Sequence, residues 1–377
     1  MRRVVLACID GCSPEYLRGA RFLKRADLYC EGWSMIPSVT NVNTVSILTG
    51  EYPCTHGVTG NYYYDRLSGR WVYMESPDFI RVETLVERAV KLGLKAAVLT
   101  SKDKLRILLG RGASLALSAE KPPRWLVKEL GEPPHVYSIE VDEWLMQAAV
   151  EVAKRLCPDL MYIITTDYAM HKYPPSHPES RRHIESIDAG LEELAEFYEG
   201  RGEEPLLCVT ADHGVEEKRW AVDLELALRE RGVGARVNVL IADRYVAHHG
   251  NMGGAAYVYL EETDLIYRAL EALQDLEGVE VALTSRQAAR LFHLDESRIG
   301  DLVVLAAKDY VFGPVGEEKA RVMVRSHGSL HEGRVPIALH GVDLERCPRE
   351  NREVARIALS WLQGVRASGE VGPPSLR

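Results

Sequence analysis

The chain has 377 residues, 46% of them hydrophobic and 27% charged, with 46 Lys and Arg against 55 Asp and Glu for a net charge of −9. That length accommodates one large core with a subdomain, or two domains. The acidic balance, with no dense basic block, argues against a general binder of nucleic acid or of acidic membranes. No run approaches the ~20 apolar residues of a membrane span. Seven scattered cysteines, with no CxxC pair, point to free thiols and a reduced, cytoplasmic compartment.

Residues 4–9 read as a buried first strand, too short for a signal-peptide core, that stops at Asp10-Gly11. In the stretch IPSVTNVNTVSILTG, Val42, Val45, Ile47 and Leu48 suit a short buried helix, with Thr40 in its first turn or just ahead of it. Free N–H groups and the positive end of the helix dipole favour an anion there. Residues 52–65, rich in Gly, Asn and Tyr, form a loop. Val82, Leu85, Val86, Ala89 and Val90 mark an amphipathic helix ended by Gly93, and residues 95–100 a strand. Asp142 reads as the N-cap of a helix carrying Leu145 to Leu156. Residues 160–165 form a strand, Ile184, Ile187, Leu191 and Leu194 a helix, and residues 206–210 another strand.

Short apolar strands alternating with amphipathic helices predict an α/β fold with a mostly parallel sheet covered on both faces. Residues 216–321 break that rhythm. Runs at 237–241, 255–260, 279–283 and 302–306 around two helices predict a smaller α+β insertion, or cap, set into a core of residues 1–215 and 322–377. The core resumes with a strand at 322–324 and ends with a helix at 354–362.

Ligands of open α/β sheets bind beyond the carboxyl ends of the strands. Those ends carry Asp10, then Asp167 and His171, then Asp212 and His213, then His327. Each alone has an ordinary explanation as a turn, a cap or a carbonyl contact. Together they make three carboxylates and three imidazoles on one edge, and the carboxylates would repel one another unless cations held them. A mixed Asp/His set suits zinc, with Mn2+ or Fe2+ as substitutes, better than the all-oxygen shells of Mg or Ca. Six ligands divide into two sites of three, and Thr40 is available as a further oxygen ligand. Two metals roughly 3.5–4 Å apart clamp a phosphoryl displacement, and one of them can activate the Thr40 hydroxyl as nucleophile.

Asp10, the Thr40 segment, Asp167-x3-His171, Thr210-Ala-Asp212-His213-Gly214 and Ser326-His327-Gly328 resemble the alkaline phosphatase superfamily, in its nucleotide pyrophosphatase-like branch. The resemblance implies a three-layer α/β/α core. It also implies one metal held by Asp10, Thr40, Asp212 and His213 and another by Asp167, His171 and His327. Lys102 and Lys104 follow the strand at 95–100; in an extended segment they point the same way, and otherwise they are solvated loop lysines. With Asn61, this Lys-Asp-Lys-Leu-Arg block resembles the phosphonoacetate hydrolases of that branch. The likeness implies C–P bond hydrolysis through a phosphothreonine at Thr40, with Asn61 on the phosphonate, the lysines on the carboxylate, and a small anionic phosphonate as partner. A homodimer is left open. The rival readings are a phosphodiesterase or nucleotide pyrophosphatase on the same scaffold, a cofactor-independent mutase, and a metal-dependent binding protein without turnover. Tyr62, Tyr63 and Tyr64 read as a base slot or as packing, His248 and His249 as a plain loop, and Arg325 as a surface salt bridge in preference to an anion contact.

Overall fold

The structure, a computed structural model, describes residues 1–243 and 250–364. Seven strands build the main sheet: β1 (Arg2–Cys8), β2 (Leu28–Trp33), β3 (Ala96–Thr100), β4 (Leu115–Ser118), β5 (Leu160–Ile164), β6 (Glu204–Thr210) and β7 (Arg334–His340). Their order is β2-β7-β6-β1-β5-β3-β4. The run β6-β1-β5-β3-β4 is parallel, whereas β7 lies antiparallel to both β6 and β2.

Alternation along β1 explains the layers. Val5 and Ala7, with Ile9 just beyond, face one side and pack against α3 (Glu140–Leu156) and α4 (Pro178–Glu199). Val4, Leu6 and Cys8 face the other, against α1 (Thr40–Thr49), α2 (Asp103–Leu109) and α5 (Val354–Leu362). A strand buried on both faces reads as a continuous apolar run, as these do. The fold is thus three-layered α/β.

Register decides where the chemistry can sit. Cys8 pairs with Ile164 on one side and Thr210 on the other, and Thr100 pairs with Ile164. The carboxyl ends of four neighbouring strands are therefore level. Whatever follows each strand by two or three residues arrives at the same place.

α1 is buried along its whole length despite three threonines and a serine. The hydroxyls of Thr44, Ser46 and Thr49 donate back to the carbonyls of Thr40, Val42 and Val45, so no buried OH is stranded. Gly50 ends the helix at φ +75°, and its N–H bonds to Ser46 O.

Beyond β6 the chain builds a four-stranded antiparallel sheet in the order Ala235–Val239, Ala255–Leu260, Leu302–Ala306, Val279–Thr284. Beside it, Glu216–Val222 is flanked by Tyr310–Phe312 and Lys319–Ser326. This α+β portion corrects one expectation. The strand at 322–324 does not return to the core: it is part of Lys319–Ser326, paired antiparallel with Glu216–Val222. The strand that does return is β7, which the sequence reading missed. Nor does Asp142 cap α3, since it lies within the helix and points inward.

The cysteines hold a second correction. Cys30 on β2 and Cys347 form a disulfide, where the scattered cysteines pointed to a reduced compartment. The partners are 317 residues apart, so no local spacing could have flagged them. Cys8, Cys12 and Cys208 are free and buried as small apolar groups. Among the described residues no helix is long and apolar enough to cross a membrane.

Candidate metal and substrate site

The level strand ends gather Asp10, Lys102, Asp167 and Asp212, all buried. Gly11, immediately after Asp10, turns at φ +74°, and a Cβ there would meet Val215 at 3.0 Å and Asp167 at 3.2 Å. Only glycine allows the turn and the close approach together.

Two triads result. Asp10, Asp212 and His213 form one, and Asp167, His171 and His327 the other; within each, the ligand atoms lie within 4.8 Å of one another. His213 Nε2 is 3.2 Å from Asp212 Oδ2 and 3.5 Å from Asp10 Oδ1. His171 Nε2 is 3.0 Å and His327 Nε2 4.0 Å from Asp167 Oδ2. The rings of His213 and His327, one from each triad, stack with centroids 3.5 Å apart. Thr40, the first residue of α1, places Oγ1 3.2 Å from His213 Nε2.

Every histidine is oriented from behind. Nδ1 of His171 meets Arg325 O at 2.6 Å, that of His213 meets Gly214 O at 3.0 Å, and that of His327 meets Ser38 O at 2.8 Å. Each Nε2 is left aimed into the site, as metal-binding imidazoles are held. Asp212 Oδ1 accepts from the backbone N–H groups of Gly11 and His213, while Oδ2 accepts no hydrogen bond and has only the His213 ring beside it. Both carboxylate oxygens of Asp10 are buried without a hydrogen bond. Burial, then Asp167 and Asp212, pushes the Asp10 carboxyl well above its ordinary range. Burial, then His213 and His171, pushes the His327 imidazole well below its own. Orphaned carboxylate oxygens and imidazole Nε2 atoms aimed into one buried cluster are what divalent cations would satisfy. The residues present fit two such ions.

The lysines depart from the expected extended segment. Lys102 lies just ahead of α2 and Lys104 inside it. Lys102 Nζ turns in between the two triads, donating to Asp167 Oδ1 at 2.7 Å and lying 3.5 Å from Asp10 Oδ2. Burial opposes its charge, but Asp167 and Asp10 outweigh that and hold the ammonium above its usual range. Lys104 pairs with Asp243. Both lysines line a cavity of about 390 Å³ shared with Ile107, Tyr137, Asp243 and Glu120. They converge on one cavity because the helix starts between them.

Asn61 is buried, with Nδ2 donating to Ile241 O at 3.3 Å and Oδ1 unpartnered. Met74 links it to α1: its N–H donates to Asn61 O and its O accepts from Asn41 Nδ2. Tyr62 stacks on Tyr73 at 5.2 Å, and Tyr64 packs against Trp71 and Tyr259. These tyrosines pack on one another instead of forming an open slot. Arg325 is neither a surface ion pair nor an anion contact, since it donates to Met170 O, Val215 O and Tyr16 Oη and so ties three segments behind His171. His248 and His249 lie outside the described residues.

Residues 4–330 match the model of the Type I phosphodiesterase / nucleotide pyrophosphatase family. A crystal structure of phosphonoacetate hydrolase from Sinorhizobium meliloti 1021 in complex with phosphonoacetate is 33% identical, with a TM-score of 0.85 over 96% of each chain. Murine ectonucleotide pyrophosphatase / phosphodiesterase 5 in complex with AMP is 14% identical, with a TM-score of 0.72 over 99% of this chain and 98% of that one, a likeness of fold. Venom phosphodiesterase from Crotalus durissus collilineatus is 27% identical over 193 residues, which are 49% of this chain and only 22% of the venom protein.

Proposed function

Because the chain belongs to the Type I phosphodiesterase / nucleotide pyrophosphatase family, a family of hydrolases, we propose that it hydrolyses the C–P bond of phosphonoacetate to acetate and phosphate with Thr40 as nucleophile. One observation carries this reading above its rivals: the Lys102 ammonium lies beside Asp10 and Asp167, at the junction of the two triads and the cavity that Lys104 also lines. Positive charge facing a pair of cations suits a substrate that is anionic at both ends. The likeness to the Sinorhizobium enzyme with phosphonoacetate bound supports it.

We assign one ion, zinc by its mixed Asp/His donors, to Asp10, Thr40, Asp212 and His213, and the other to Asp167, His171 and His327. When bound, such ions neutralise the carboxylates, clamp phosphoryl oxygens and lower the pKa of a coordinated hydroxyl or water. The protein's own part follows from its geometry. Thr40 Oγ1, at the N-terminus of α1, forms a bond to phosphorus while the C–P bond breaks. The helix end favours the negative phosphoryl oxygens. The C–P electron pair passes to the methylene carbon, giving the enolate form of acetate; its protonation to acetate balances the proton the Thr40 hydroxyl gives up as its oxygen bonds phosphorus. Lys102 and Lys104 hold the substrate carboxylate and stabilise the charge as it builds. Asn61 supports the phosphonate. Water then cleaves the phosphothreonine and regenerates Thr40.

The decisive experiment is phosphate release from phosphonoacetate by zinc-loaded protein, with Lys102→Ala and Lys104→Ala beside it. Turnover that falls about 10- to 100-fold in both variants is expected. Turnover untouched by both would remove the lysines from the reaction. The family match also covers phosphodiesterases, so bis-nitrophenyl phosphate is the competing substrate. Faster turnover of the diester than of phosphonoacetate would favour that second reading.

A further inference from the structure

Lys102 and Asp167 meet at 2.7 Å although they stand 65 residues apart, at the ends of adjacent strands. The residue before each is held by one and the same side chain. Ser101 Oγ donates to Asp142 Oδ1 at 2.6 Å. The backbone N–H of Thr166 donates to Asp142 Oδ1 at 3.0 Å and to Oδ2 at 3.3 Å. Asp142 reaches these groups from α3, and it, Ser101 and Thr166 are all fully buried. His183, from α4, closes the far side with Nε2 3.7 Å from Asp142 Oδ2.

The contacts form a closed ring. It runs from Asp142 to Ser101, along the chain to Lys102, across to Asp167, back one residue to Thr166, and returns to Asp142. A buried carboxylate in this place has an evident cost. Burial pushes its carboxyl up to about 7, against the pull of Ser101, Thr166 and Lys102. A core position inside an amphipathic helix is ordinarily apolar, so packing alone gives no account of an aspartate there.

We propose that Asp142 is a positioning residue for the phosphonate reaction, gripping the residue ahead of Lys102 and the residue ahead of Asp167 so that ammonium and metal ligand keep a fixed separation. The proposal rests on the role given to Lys102 above. The separation matters because Lys102 must meet the carboxylate end of a substrate whose phosphonate end is fixed on the metal side. A shift of the Ser101 backbone lengthens that span, and the loss appears in substrate binding before it appears in chemistry.

The test is a double-mutant cycle on the zinc-loaded, full-length chain, following phosphate release from phosphonoacetate. Ser101→Ala removes the grip on the lysine side alone, leaving Thr166 held. It is expected to raise KM about tenfold, with kcat within about twofold, two zinc ions per chain retained and the melting temperature little changed. In the Lys102→Ala background the same substitution is expected to move KM less than twofold, because the group it positions is gone. Asp142→Asn, which keeps an acceptor oxygen for Ser101 and Thr166, is expected to hold KM within about threefold of the parent. Asp142→Ala is expected to lose about as much as Ser101→Ala or more. Should Asp142→Ala not fold, the Ser101 and Asn variants still decide.

A penalty for Ser101→Ala that is equal in both backgrounds overturns the proposal and leaves Asp142 as a structural group only. An unsubstituted protein that releases no phosphate from phosphonoacetate breaks the functional reading and this inference with it. Turnover whose KM is indifferent to Ser101 breaks this inference alone.

Discussion

The carboxyl edge of the main sheet and the inserted α+β portion use their strands in opposite ways. Along the edge, β1, β3, β5 and β6 end level, and each is followed within three residues by a buried charged group, namely Asp10, Lys102, Asp167 and Asp212. In the insertion, Ala255–Leu260 and Leu302–Ala306 are buried at every position and feed apolar clusters. Among the described residues, the insertion's contacts with the site include Ile241 O on Asn61, Asp243 on Lys104, Arg325 O on His171 Nδ1, and Gly254 N–H on His327 O. Parallel strands deliver functional groups to one line, whereas antiparallel ones return the chain to both ends and spread such groups apart. The edge thus supplies most of the two triads, while His327 comes in directly after the insertion strand Lys319–Ser326.

Lys218 joins the two. It projects from Glu216–Val222 and is fully buried, and its Nζ donates to Glu332 Oε1 at 2.5 Å and Lys308 O at 2.6 Å. Glu332 in turn accepts from the N–H and hydroxyl of Ser329, while its backbone O accepts from Gly214 N–H. The loops carrying His213 and His327 are thus fastened to the insertion through one buried ion pair.

This division can be broken in graded ways. The largest expected effect is that of Thr40→Ala, which should cut phosphate release by at least about 10³-fold with circular dichroism unchanged. Residual turnover near the parent rate would move the nucleophile elsewhere. Chelation should likewise abolish turnover, restored by added zinc, and should lower the melting temperature as binding to the native state is lost. Next, Glu332→Ala leaves the Lys218 ammonium buried without its carboxylate. It should cost about 3–5 kcal/mol in urea unfolding, and the paired replacement of Lys218 by Met and Glu332 by Leu should recover most of it. If the single substitution proved harmless, the coupling of insertion to site would fail. The smallest effect expected is from Met323→Lys, an exposed position on the insertion side. It should leave both stability and turnover within experimental error.

Much of the site was legible because the pattern that reveals a buried parallel strand also reveals its end. Asp10, Asp167, Asp212 and His213 could be placed on one edge from apolar runs alone, and the structure does bring them together. What stayed hidden depends on contacts far apart in sequence. β7 contains Pro336, a residue that argues against an interior strand. Yet the strand pairs on both sides, and Pro336 O accepts from Thr210 Oγ1 at 2.9 Å. Lys102 and Lys104 were assigned a common direction on the assumption of an extended chain; the onset of α2 at Asp103 replaced it with a different convergence. Asp142 looked like a cap because it precedes an apolar-periodic stretch. Its true partners, Ser101 and Thr166, are 41 and 24 residues away.

The bond between Cys30 and Cys347 has a topological result. It closes 317 residues of sequence separation, most of the chain, into one covalent loop. A single cut by a protease at any surface turn inside that loop leaves both fragments tethered. The nicked molecule should travel as one band on a denaturing gel until a reductant parts it into two.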